Sequence, residues 1–314
     1  LLSPFISTIE LIYLGMKTII LSIISCVFFH SFSMGQISNI SSDTISLAQR
    51  WMIDFKPENP ATDRVQPYKP VYFLAGNYTS DINNKPSSLN PLNTIPTATS
   101  FSKWELKFQL SFKARLLDFN AVDVWAGYTQ SSRWQLYSGD LSRPFRETNY
   151  EPEFLFVFPT SYKLFGMQGV YWSLGFNHQS NGKSNPYSRS WNRITLETGL
   201  EYNNWTVLLK PWFRVQETFV DDNNPNIEDY VGRMEVISAY SNGRHDFSAQ
   251  LRHSLKGGAK SRGSLQFDYA YALSEVLQIH TQFFHGYGES LIDYNHKQTT
   301  FGIGFSLIQW GGVR

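Results

Sequence analysis

Apolar and polar side chains alternate with a period of two along most of the chain beyond residue 66. Successive strand residues point to opposite faces, so such runs read as strands with one greasy and one wet side. Trp104, Leu106, Phe108, Leu110 and Phe112 make one such face, and Lys103, Glu105, Lys107, Gln109, Ser111 and Lys113 the other. Twelve segments obey the rule, near 68–78, 102–114, 120–134, 150–159, 168–180, 190–203, 205–217, 228–241, 245–255, 262–273, 276–288 and 297–308. No helical period of useful length lies among them. Their connections alternate too: those at Asn203-Asn204 and Asn242-Gly243 are tight, whereas 135–149, 181–189, 218–227 and 289–296 are longer and polar. About half of the segments reach the ~9–11 residues that cross a bilayer when tilted. Together these features predict an all-β fold, a twelve-stranded antiparallel transmembrane β-barrel. Closure pairs every strand edge, as lipid demands.

Composition sharpens this picture. Aromatics make up 16% of the chain and charged residues only 17%, and no apolar run approaches the roughly 20 residues of a helical span. Tyr128, Trp134, Tyr171, Trp191, Trp205 and Trp310 fall near segment ends, where interfacial girdles are expected. Glu105, Asp123, Arg193, Glu197, Lys210, Arg214, Gln250 and Asp268 fall on the polar faces. Charges of both signs in a narrow lumen predict a hydrogen-bonded plug, not an open pore. A net charge of +1 without a basic run excludes nucleic acid as a partner. From Met16 the chain runs through Lys17, an apolar stretch from Ile19 to Phe29, and small residues to Gly35, the order of an export leader. The expected organisation is therefore 1–35 upstream residues and leader, 36–65 a periplasmic lead-in, and 66–314 a multi-pass barrel of the bacterial outer membrane. The sole cysteine, Cys26, lies in the leader, so the mature chain is expected to hold no disulfide.

The chemistry concentrates in residues 177–193, NHQSNGKSNPYSRSWNR. Counting back by two from Ser180 and His178 gives Phe176, Leu174, Trp172 and Val170, so this pair interrupts an apolar face. On the returning segment Asn192 shares its face with Ile194, Leu196 and Leu200, opposite Arg193, Thr195, Glu197 and Glu201. A serine hydroxyl becomes a nucleophile when a neighbouring base takes its proton. Asn192 can accept from the other ring nitrogen and fix the tautomer that leaves Nε2 as the base. A neutral amide does this without the cost of a carboxylate facing lipid. Gly182 follows where a backbone amide could bind an oxyanion. No G-x-S-x-G elbow, H-E-x-x-H or C-x-x-C is present, and Gly182-Lys183-Ser184 lacks the earlier glycine of a phosphate loop, having Asn177 there.

That run, together with YTQSSRWQL at 128–136, PFRETNYEP at 144–152, KPW at 210–212, DDNNPNI at 221–227 and GYGESLIDYN at 286–295, resembles the outer-membrane phospholipase A family from about residue 66 onward. The resemblance implies a twelve-stranded barrel that hydrolyses acyl esters of phospholipids and lysophospholipids, requires calcium (Ca2+) and is active as a homodimer. It makes Ser180 the nucleophile, His178 the base, Asn192 its orienting residue, and the amides at Ser180 and Gly182 the oxyanion hole. It assigns the catalytic calcium to the carbonyl of Lys183, the hydroxyl of Ser188 and a carbonyl at Ser142 of the partner subunit, with Gln130 at the dimer interface. Asn185 replaces a family aspartate at a second calcium site, leaving Asp222 as its remaining carboxylate. The rival expectation is a catalytically silent channel or structural barrel of the same fold.

Overall fold

A computed structural model describes residues 45–53 and 65–310. The expected leader with Met16 and Cys26, part of the lead-in, and Gly311 to Arg314 lie outside the described residues. A short helix, α1 (Leu47–Arg50), precedes thirteen strands. The first five are β1 (Val65–Pro67), β2 (Val71–Thr79), β3 (Trp104–Asp118), β4 (Asp123–Trp134) and β5 (Phe145–Leu164). β6 (Met167–Ser180), β7 (Ser190–Tyr202), β8 (Trp205–Val215) and β9 (Met234–Asn242) follow. The last are β10 (His245–His253), β11 (Gly263–Ala272), β12 (Gln278–Tyr287) and β13 (Lys297–Ile308).

Each strand from β2 to β13 pairs antiparallel with its successor, and β13 pairs with β2, so the sheet closes. The result is the twelve-stranded barrel read from the alternation. β1 pairs with β3 just beyond the end of β2, so the two short strands act as one stave broken at Tyr68–Pro70. Proline cannot donate to a ladder, and the stave carries one at 67 and another at 70.

Phe154, Phe156, Trp172, Leu174, Phe176, Ile194, Leu196, Phe213, Phe283, Phe301 and Phe305 all stand exposed on the outer wall. An apolar belt of this extent is incompatible with water and suits a hydrocarbon surround. The inner wall is ionic. Lys69 lies 2.7 Å from Glu153, Lys210 lies 3.1 Å from the same carboxylate, and Arg193 lies 2.8 Å from Glu151. These pairs fill the lumen around a polar cavity of about 160 Å³, as a plug of opposite charges should.

Two expectations about faces need correction. Tyr171, Trp191 and Trp310 do not belong to outer girdles; all three are buried. Tyr171 and Trp191 point inward, where the Tyr171 hydroxyl donates to Glu197 at 2.6 Å and Trp191 Nε1 donates to Gln179 at 2.8 Å. Their polar handles find partners among the luminal groups, which makes the interior the better site. Trp205 does stand outside, and Tyr128 and Trp134 are half-buried. Val170 was expected to face lipid but is buried, because the β6–β7 register slips between Gly169 and Tyr171 and a bulge turns it inward. Leu200, paired with Gly169 beside that bulge, is buried too.

Strand ends also differ from the pattern. β5 extends to twenty residues, well beyond 150–159, whereas β9 starts only at Met234 because Ile227 and Val231 pack into a loop core with Trp191, Trp212, Leu291 and Tyr294. At the short-turn end, α1 is capped by a reciprocal Ser46–Gln49 box. It inserts Trp51 among Tyr68, Trp125 and Tyr171, and the Lys113 ammonium stands 3.0 Å from the Trp51 ring centre. Glu201 accepts from the Leu47 amide, and Arg50 donates to the Trp310 carbonyl.

Candidate active site

The β6–β7 hairpin carries the site at the long-loop end of the barrel. Its register sets His178 opposite Asn192 and Ser180 opposite Ser190. His178 Nδ1 and Asn192 Oδ1 are 2.8 Å apart. An amide oxygen only accepts, so in the neutral imidazole this contact places the proton on Nδ1 and makes Nε2 the acceptor. Ser180 is on the same face two residues along, with no hydrogen bond from its hydroxyl to the imidazole among the described residues. All three side chains are half-buried, beside the exposed Phe176 and Ile194. Gln130, Tyr150 and Ser180 form one cross-strand row over β4, β5 and β6. The Tyr128 hydroxyl donates to Gln130 at 3.1 Å.

Gly182 has φ +63°, in the left-handed region that favours glycine, and a Cβ there would lie 3.1 Å from the Tyr150 ring. The following loop is folded around Asn181, which the sequence pattern did not single out. Its Nδ2 donates to the Tyr187 carbonyl at 2.8 Å and to Glu147 at 3.2 Å, while its Oδ1 accepts from the Arg189 amide at 3.0 Å. Buried Arg189 donates to the Ser188 carbonyl at 2.7 Å and the Asn93 carbonyl at 2.8 Å. Asn93 reaches in from the connection between β2 and β3 and donates to Asn185 Oδ1 at 2.9 Å. No local pattern marks a contact between residues that far apart in sequence.

A model of the phospholipase A1 family matches residues 47–307. The chain belongs to the phospholipase A1 family. Phospholipase A1 of Salmonella typhimurium is 38% identical over 254 residues, covering 80% of this chain and 83% of that protein. Phospholipase A1 of Escherichia coli K12 matches at the same identity and coverage. Among solved structures, outer membrane phospholipase A from Escherichia coli aligns with a TM-score of 0.70 at 36% identity, over 78% of this chain and 94% of that one. The Salmonella typhi outer membrane phospholipase dimer with bound calcium gives a TM-score of 0.73 at 34% identity, over 85% and 99%. As a member of this family the chain is an enzyme of the phospholipase A class and a multi-pass barrel of the bacterial outer membrane.

For this phospholipase A1 relative, the residues expected to hold calcium are placed as follows. Lys183 and Ser188 share the nine-residue connection between β6 and β7. The Lys183 carbonyl accepts no hydrogen bond among the described residues, and the Ser188 hydroxyl accepts from Asn223 Nδ2 at 3.1 Å. An uncommitted carbonyl and a hydroxyl suit a hard cation that takes oxygen ligands. Ser142, exposed at the end of a 3-10 turn within the long connection between β4 and β5, has φ +57°. Asp222 differs from these. Its carboxylate sits 2.6 Å from Arg214 Nη2 and accepts from the Asn224 amide at 2.9 Å, so a buried guanidinium already neutralises it. Among the described residues no three His, Cys, Asp or Glu side chains cluster as a metal site.

One further partner escaped the sequence reading. Asn192 Nδ2 donates to Glu217 Oε1 at 3.1 Å. Asn192 pairs with Val215, and the tight turn at Asn203-Asn204 fixes that register, so counting two past Val215 would have found Glu217 on the outer face. Burial and the nearby Asp222 carboxylate raise the Glu217 pKa, against the opposing pull of Arg214, Asn192 and His178.

Proposed function

We propose that this protein is a calcium-dependent phospholipase, active as a homodimer, that hydrolyses acyl esters of phospholipids and lysophospholipids with Ser180, His178 and Asn192. The 2.8 Å contact between His178 and Asn192, on the face that also bears Ser180, carries the reading. In the proposed reaction Ser180 Oγ attacks the acyl carbonyl while His178 Nε2 takes its proton. The same proton passes to the departing lysolipid or glycerol oxygen, and an acyl-serine ester forms. Water, deprotonated by His178, then attacks the acyl carbon; the C–Oγ bond breaks, the proton passes from His178 to Ser180 Oγ, and the fatty acid leaves. The amides of Ser180 and Gly182 are assigned to the oxyanion. Hydrogen bonds of this kind tighten as substrate binds, which reconciles the mechanism with a serine that does not yet bond the ring.

Calcium would be held by the Lys183 carbonyl, the Ser188 hydroxyl and the carbonyl of Ser142 of the partner subunit. When bound, it supplies positive charge that stabilises the developing oxyanion. The Arg214 pairing speaks for a structural role at Asp222, the carboxylate that the resemblance left for a second calcium site. Lipid enters from the side of the barrel, where Phe154, Phe176 and Ile194 offer an apolar bed for acyl chains. On the same reading residues 1–35 are the leader region, 36–65 a periplasmic lead-in, and the barrel unit starts at 66.

The test is hydrolysis of a short-chain phospholipid in detergent. Calcium-loaded protein should turn over, chelation should abolish turnover, and Ser180→Ala should lose at least about 10³-fold in kcat. Equal rates in all three samples would sink the proposal.

A further inference from the structure

We infer that Glu217 is a positioning residue for this site, acting through Asn192 to fix which way the carboxamide points and which imidazole nitrogen carries the proton. The inference rests on the reading above. An asparagine in isolation can present either its oxygen or its nitrogen to a histidine, and the two orientations demand opposite tautomers. An ionised carboxylate removes that choice because it only accepts. With Glu217 Oε1 at 3.1 Å, the atom of Asn192 facing it must be Nδ2. Oδ1 is then turned to His178, 2.8 Å away, and only an Nδ1–H can satisfy it. The proton therefore sits on Nδ1, and Nε2 is free to accept from Ser180. A carboxylate at one end of the chain of contacts sets the protonation site at the other.

Placement explains how a charge is tolerated here. β8 ends at Val215, so Glu217 lies beyond the spanning segment, while Asn192 is still within β7. Glu217 is half-buried. Polar surroundings at the membrane rim can solvate a carboxylate that would be costly deeper in the hydrocarbon. The amide thus transmits negative charge toward the imidazolium formed during catalysis, and the charge itself stays out of the lipid. Arg214 is committed to Asp222 at 2.6 Å and leaves Glu217 available to Asn192.

A double-mutant cycle tests this, because residues that act as a unit are non-additive. In the full-length, calcium-loaded protein, Glu217→Ala should lower kcat about tenfold with KM within about twofold. Placed in an Asn192→Ala background, the same change should cost less than about twofold. Glu217→Gln keeps an acceptor without the charge and should fall between wild type and Glu217→Ala. Equal losses in both backgrounds, or an unchanged kcat in the first, would overturn the inference. Nitrogen-15 spectra of histidine-labelled protein in detergent separate this outcome from failure of the underlying function. His178 should be the Nδ1–H tautomer in the wild type and a mixture in Glu217→Ala, whether or not lipid is hydrolysed. One unchanged tautomer in both proteins would refute the role of Glu217 by itself.

Discussion

Two polar trios lie back to back across the β6–β7 pair. Outside, Asn192 receives His178 beside Ser180, with no charged side chain within the strands. Inside, one residue over, Arg193 donates to Asn177 at 3.0 Å and to Glu151 at 2.8 Å, and Asn177 donates to Glu151 at 2.8 Å. The backbone is the same and the residues are adjacent, but the surroundings are opposite. A lumen lined by Lys69, Lys210 and Glu153 can neutralise each ion with its neighbours, so full charges are used there to bind the wall together. Around the outer trio no ion pair forms among the described residues. Its polar groups are neutral, and the carboxylate that Asn192 reaches, Glu217, stands beyond the end of β8. On the proposed function, the inner trio serves stability and the outer one chemistry.

Substitutions should separate these roles. The largest effect is expected from Glu153→Ala, which leaves Lys69 and Lys210 buried without a shared partner. Lys69 keeps Glu151 at 3.0 Å and Lys210 keeps Glu197 at 3.6 Å, so the loss should be about 3 kcal/mol, the low end for a broken buried pair, read from the urea midpoint of heat-modifiable gel migration, with kcat of the folded fraction unchanged. A midpoint equal to that of the wild type would erase the distinction. The mirror experiment is Asn192→Ala. It should lower kcat roughly 10–100-fold, or about 1.4–2.7 kcal/mol of transition-state stabilisation, and leave the midpoint within about 0.5 kcal/mol. A comparable fall in stability would make Asn192 a structural residue like Asn177.

Acid gives the smallest and most graded probe of the inner wall. In the β12–β13 loop, burial pushes the Glu289 pKa up, but Lys107 at 3.0 Å and Arg133 outweigh it and hold the carboxyl at about 2. A depressed folded-state pKa contributes stability above the unfolded value, and that stability fades as pH falls toward the folded one. Lowering the pH from 7 to 4 should therefore cost on the order of 1 kcal/mol through this group. Glu289→Gln should remove that part of the pH dependence; an identical acid profile in the variant would show that other carboxylates carry it.

Much of the barrel was legible because alternation is a local property. Each polar residue from Glu105 to Asp268 predicted for the interior lies on the inner wall, since a period of two admits just one inward set. The same counting put His178, Ser180 and Asn192 on one face. It failed at Val170, where a bulge shifts the phase; Tyr171 and Trp191 take the inner face that counting gives them, and only the girdle expected from their aromatic character failed.

By itself, then, the sequence determined the strands, the face that residues take away from bulges and the residue types brought to the lipid side, because these follow from neighbours two apart and from the cost of charge in hydrocarbon. Only the tertiary structure decided what those residues touch across long separations. Asn93 on Asn185 joins two loops 92 residues apart, and Arg189 reaches the Asn93 carbonyl across 96. Such contacts depend on register and loop path after closure, and no periodicity in the chain encodes them.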